Sequence, residues 1–170
     1  MFTRSLIIAS LVFAGGALAP SAGLAAGNGC DAGRWPASPA ETKFSAALPI
    51  VASGDTLPAL GAPVTVNLLP QGQVAFVHAP ARDGKANPAY AAVVKLGPEP
   101  AATYQVTAST GAWVDLAENA DLARSSGYER ITDCPGVNKV IRFKTAGGPL
   151  TVQISGSYGK TIKIAVERVE

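Results

Sequence analysis

The sequence predicts an all-β protein, an antiparallel jelly-roll-like β-sandwich with an extended N-terminal arm. Three observations carry that expectation. Over residues 140–144, 150–155 and 162–167 apolar and polar side chains alternate almost without a slip, the period of two that turns one face of a strand inward. From Pro63 onward, short strand signals recur at intervals of roughly ten residues, the spacing of sandwiches and barrels. No helical period competes with them.

The chain opens with Arg4 ahead of an apolar run from Leu6 to Ala19. The run suits a signal peptide and is too short and Gly-interrupted for a spanning helix. Pro20 disfavours cleavage after Ala19, so the small-residue site around Leu24, Ala25 and Ala26 is preferred, with Gly27 starting the mature chain. Lipidation at Cys30 is disfavoured, because Gly27-Asn28-Gly29 stands where a Leu-led lipobox belongs. The expected division is a cleaved signal at 1–26, a Cys-anchored arm at 27–62 and a sandwich at 63–170 that forms one domain with the arm. The expected location is periplasmic or secreted, without a membrane span once the signal is removed.

Removing residues 1–26 from 170 leaves 144, and removing Arg4 from fourteen basic residues leaves thirteen against twelve acidic ones. That balance lacks the basic footprint of a nucleic-acid binder. A chain of this length supports one sizeable core. Its two cysteines, Cys30 and Cys134, read as a disulfide in an oxidising compartment. Neither has a Cys or His neighbour in sequence for a metal or redox site. Pro36, Pro39, Pro49 and Pro58 break any period in the arm, and Trp35 is expected to cover an open edge or cap the core.

Val64, Val66 and Leu68 alternate with Thr65 and Asn67, and Pro70-Gln71-Gly72 reads as a turn into a second strand through Val74, Phe76 and His78. Residues 80–88 read as a polar loop. A third strand over 90–96 ends at Gly97-Pro98-Glu99-Pro100, and Tyr104, Val106 and Ala108 face inward on a fourth. The fifth, 112–116, places Trp113 and Asp115 opposite Val114 and Leu116. Residues 117–133 lose alternation and read as a long surface connection returning at Cys134. Three closing strands follow, separated by Gly147-Gly148-Pro149 and by 156–159, with Thr151, Gln153, Ser155, Lys163 and Glu167 facing outward.

The stretches AYAAVVKL, ATYQVTAS, AWVDL, KVIRFKTAGGPLTVQISGS and TIKIAVERV together resemble bacterial pre-peptidase C-terminal domains, small jelly-roll-like sandwiches attached to secreted enzymes. Trp35, Tyr104 with Val106, Trp113 with Asp115, and Cys134 with Lys139 are also similar to a group of small exported bacterial proteins, some of which carry the name homogentisate 1,2-dioxygenase. Such a name implies Fe(II) held by two His and a carboxylate. The chain has one histidine, His78, and Gly127-Tyr128-Glu129-Arg130 stands where the group has His-Gly-His.

Other chemistry is equally thin. His78 has no base, nucleophile and orienter grouping around it in sequence. Ser155 lacks the glycine-flanked elbow of a hydrolase. Asp115 with Glu118 or Asp121 would be the carboxylates for glycosidase chemistry, and Asp83-Gly84-Lys85-Ala86-Asn87 is a poor calcium loop, with Lys85 in a ligand position. The sequence therefore points to binding without a catalytic, metal or cofactor site. The expected partner is an envelope protein or a glycan, met through the polar outer sheet face or the connection 117–133. Trp113, Asp115, Tyr128 and Tyr90 are the candidate binding surface, since exposed rings stack on sugars, with core or inter-sheet packing as the alternative use of the rings. A metal-dependent oxygenase and a purely structural envelope protein are the rival readings.

Overall fold

Strands are where the β-branched and aromatic residues concentrate, in the order β1 (Ile50–Val51), β2 (Val64–Asn67), β3 (Leu69–Pro70), β4 (Tyr90–Ala108), β5 (Trp113–Glu118), β6 (Asp121–Leu122), β7 (Arg124–Arg130), β8 (Lys139–Ser157) and β9 (Thr161–Arg168). The computed structural model describes residues 29–31, 33–37, 44–82 and 84–170. The expected signal segment and Asp83 lie outside them. The all-β class is as the alternation predicts. The wiring is one sheet in the order β1-β2-β9-β4-β8-β5-β6, with β3 on β4 and β7 on β8; β1 and β2 are parallel.

The hairpin of β4 and β8 organises everything else, because each strand is 19 residues long. Gly97-Pro98-Glu99-Pro100 and Gly147-Gly148-Pro149 are not turns between separate strands, as the sequence suggested. They lie opposite one another, Pro98 against Pro149 and Glu99 against Gly148, and the ladder continues through them with a bulge between Lys95 and Gly97. Bulges and positive-φ glycines bend a strand without ending it. Gly147, at φ +95°, could not carry a Cβ, which would stand 2.8 Å from Ala101 N. Tyr104 Oη donates to Pro100 O (2.9 Å) across the same bend.

At this bend the sheet folds over itself. One half of the hairpin carries β7 and β9, the other β5 and β3. Between the halves sits one core, where Val64, Val66, Tyr104, Val106, Phe143 and Ile164 meet Val94, Leu116, Val152 and Ile154.

Two other expectations fail. Residues 74–78 pair with no strand; Gln71–Gln73 forms a short 3-10 turn, and β2 pairs with β9 instead of a following hairpin partner. Residues 117–133 are not a loose connection, since β6 pairs back on β5 and β7 pairs with β8 from Arg130 opposite Lys139 to Arg124 opposite Lys144. Both failures share a cause. Residues 74–78 alternate without a partner, while the polar edge strand β7 pairs without alternation.

The largest departure concerns the polar faces. Gln153 and Ser155, read as outward and solvated, are each only 1 % exposed, and Gln105, Thr107 and Asp115 are also buried. Irregular chain covers both halves. On one half the Cys30–Cys134 disulfide, across 104 residues of sequence, holds the arm against Val140 and Ala165. There Cys30, Trp35, Phe44, Ile131 and Val137 form a second apolar cluster. Glu129 accepts the N–H groups of Arg34 (2.9 Å) and Trp35 (3.1 Å). Gly127 leaves space for the Trp35 ring, which would stand 3.2 Å from a Cβ there.

On the other half, residues 74–82 and 84–89 lie over β5 and β8. Gln153 Oε1 accepts from the N–H groups of Val77 (2.7 Å) and His78 (3.1 Å), and its Nε2 donates to His78 O (3.0 Å). Gly84 approaches Gly156 so closely that a Cβ on Gly84 would stand 2.2 Å from the Gly156 Cα. Buried backbone N–H groups need partners, and these strand side chains supply them.

Candidate functional site

Both β5 and β7 pair along the same edge of β8, β5 opposite 150–155 and β7 opposite 139–144. Because the sheet folds between those stretches, β5 and β7 face each other across the open mouth of the sandwich. A cavity of about 220 Å³ opens there, lined by Trp113, Asp115, Ser125, Tyr128 and Lys139 above a floor of Ile141 and Phe143.

Trp113 and Asp115 are on the face opposite Val114 and Leu116, as the alternation of β5 requires. Asp115 is fully engaged: Oδ1 accepts from Trp113 Nε1 (2.9 Å) and Oδ2 from the Ala81 N–H (3.0 Å). The carboxylate thus fixes the indole and docks the covering chain at Ala81. Arg82 lies 5.1 Å from the Trp113 ring centroid and the Lys139 ammonium 6.0 Å, within cation–π range. Lys139 Nζ also donates to Ala112 O. Burial lowers the Lys139 pKa from 10.5 to about 8, and the Asp115 charge opposes that shift. Tyr128, opposite Ile141 in register, is 71 % exposed at the rim.

Three of the four side chains expected to form a binding surface therefore converge, Trp113, Asp115 and Tyr128. Tyr90 does not join them. It shares the row of Ala92 and Val94 and packs against the main core, with the Lys160 ammonium 5.9 Å from its ring. Lys139 is the member that the sequence reading passed over as a binding residue. Its signal is a cation at the head of the inward row Lys139, Ile141, Phe143.

The catalytic candidates remain apart. Asp115 and Glu118 are three apart on one strand and project to opposite faces, and Glu118 Oε1 accepts from the Ala146 N–H (2.6 Å). His78 is exposed, with Nδ1 2.9 Å from Ala79 O. Ser155 Oγ is buried without a hydrogen-bond partner, beneath the covering loop and opposite Trp113. Among the described residues no three His, Cys, Asp or Glu side chains are grouped to hold a metal. An open depression of about 490 Å³ beside Leu60, Gly61 and Arg168 lacks an aromatic platform. No family model, curated protein or solved structure matches the chain.

Proposed function

We propose that the protein is an exported binding module of the bacterial envelope, acting without catalysis, and that its ligand site is the mouth between β5 and β7. The observation that carries the reading is the convergence of an exposed Tyr128, a half-buried Trp113 and Lys139 on one cleft, while irregular chain covers Gln105, Thr107, Gln153 and Ser155 on the polar faces. Aromatic rings beside polar groups are the usual makeup of recognition surfaces. The disulfide suits an oxidising periplasmic or extracellular setting. Among the described residues no helix is long and apolar enough to cross a membrane.

The test is cosedimentation of the purified mature protein with a washed envelope fraction. Wild type pellets and Tyr128→Ala stays in the supernatant if the cleft is the site; equal pelleting of the two refutes it. Tyr128 is exposed enough for the variant to fold. The oxygenase reading predicts instead stoichiometric iron in the purified protein.

A further inference from the structure

The cleft continues past Lys139. A second hollow of about 180 Å³, bordered by Gly111, Tyr128, Arg130, Asn138 and Lys139, shares Tyr128 and Lys139 with the first. Arg130 and Lys139 stand directly opposite in register, a placement in which two like charges repel unless an anion lies between them. The salt bridge found among the described residues joins Arg142 to Glu170 and includes neither member of this pair. Of the carboxylates around the pair, Asp115 accepts from Trp113 and Ala81, Glu129 accepts from the Arg34 and Trp35 N–H groups, and Asp133 borders a separate hollow with Glu129 and Arg130. The rim therefore has an aromatic plate, an amide side chain on Asn138 and two cations with no salt-bridged acid.

We infer that this end of the cleft binds the carboxylate of an acidic saccharide between Arg130 and Lys139, with a sugar ring lying on Tyr128. The inference rests on the cleft being the ligand site. Charge complementarity selects an anion, and the shape selects a sugar. Each hollow is smaller than the roughly 300 to 1,000 Å³ that encloses a drug-sized ligand, and the exposed face of Tyr128 offers a flat platform where an anchoring peptide side chain would need a deep apolar hole. Arginine suits the carboxylate by its planar fork of donors.

The test titrates the mature protein with trigalacturonate and with neutral galactotriose, following backbone amide NMR shifts. The expected result is that trigalacturonate binds at least about tenfold more tightly than galactotriose, the worth of one charge-assisted hydrogen bond. It shifts the amides of Tyr128, Arg130 and Lys139, and added salt weakens it. Arg130→Ala lowers trigalacturonate affinity about tenfold and leaves galactotriose unchanged, whereas Tyr128→Ala weakens both. Equal affinity for the two sugars at these amides overturns the acidic specificity while the cleft survives as a site. A poly-glutamate peptide shifting the same amides where neither sugar does overturns the saccharide. Shifts confined to other surfaces overturn the inference together with the cleft.

Discussion

Gln153 is the anchor of the loop over the second sheet half, and its replacement by methionine tests that role with little change in volume. The wild-type amide makes three bonds: from Val77 N–H at 2.7 Å, from His78 N–H at 3.1 Å, and to His78 O at 3.0 Å. Met keeps the length and loses all three. At about 1 kcal/mol net for each bond, the sum is about 3 kcal/mol. Rehydration of a partly released loop returns some of this, so Gln153→Met is expected to lose about 2 to 3 kcal/mol in urea unfolding. Native-state hydrogen exchange supplies the second readout. The amides of Val77 and His78 lose protection, while those of Val152 and Ile154 change only by the global amount. A loss below about 0.5 kcal/mol, the range of surface substitutions, with both amides still protected would refute the reasoning.

Replacing Cys30 and Cys134 together by serine frees a chain closed across 104 residues and is expected to cost about 4 to 5 kcal/mol in the chain-entropy account; denaturant midpoints with and without reductant check it. Gly156→Ala places a Cβ 2.4 Å from the Gly84 Cα at φ +63°, and should cost about 1 to 3 kcal/mol while speeding proteolysis within residues 74–89. Lys139 gives a pH signature. Its folded pKa, lowered by burial from 10.5 to about 8, means the unfolded chain holds more protons between those values, so the Lys139 contribution to stability rises with pH from about 8 toward 10.5. Lys139→Met removes that rise, and a slope identical to wild type in thermal midpoint against pH would contradict it.

The legible part of the fold was the inward rows. Ile141 with Phe143, Leu150 through Ile154, and Ile162 through Val166 are buried as their spacing requires, and the two cysteines pair. What alternation cannot reveal is what lies on the other face. Thr107, Gln105, Gln153 and Ser155 look like a solvated row, and they are polar because irregular chain over a sheet needs partners for its N–H groups. The available hint was the kind of polarity, uncharged amides and hydroxyls where a wet face usually carries Lys and Glu. The glycine and proline clusters misled for a related reason. A bend in two paired strands and a turn between them use the same residues, and only the register of Pro98 against Pro149 tells them apart. For the site, Trp113 and Asp115 were legible from one strand, but their meeting with Tyr128 and Lys139 depends on the fold of β8.

Covering both faces has a consequence for where a ligand can act. A sandwich with bare outer sheets offers broad polar surfaces for binding, whereas here the described arm residues and residues 74–82 and 84–89 occupy the parts around Gln105, Thr107, Gln153 and Ser155. The coverings are held by strand side chains that accept N–H groups: Glu129 from Arg34 and Trp35, Gln153 from Val77 and His78, Asp115 from Ala81 and Trp113. At the mouth between β5 and β7 the cations Arg82 and Lys139 lean on an indole and a carbonyl, with the Asp115 charge acting on Lys139. The acids Asp115, Glu118 and Glu129 hold the scaffold through N–H groups, while Arg82, Arg130 and Lys139 gather at one opening. Such a division favours an anion arriving from outside, and it makes Asp115 a positioning residue whose loss would disturb Trp113 and the covering loop together.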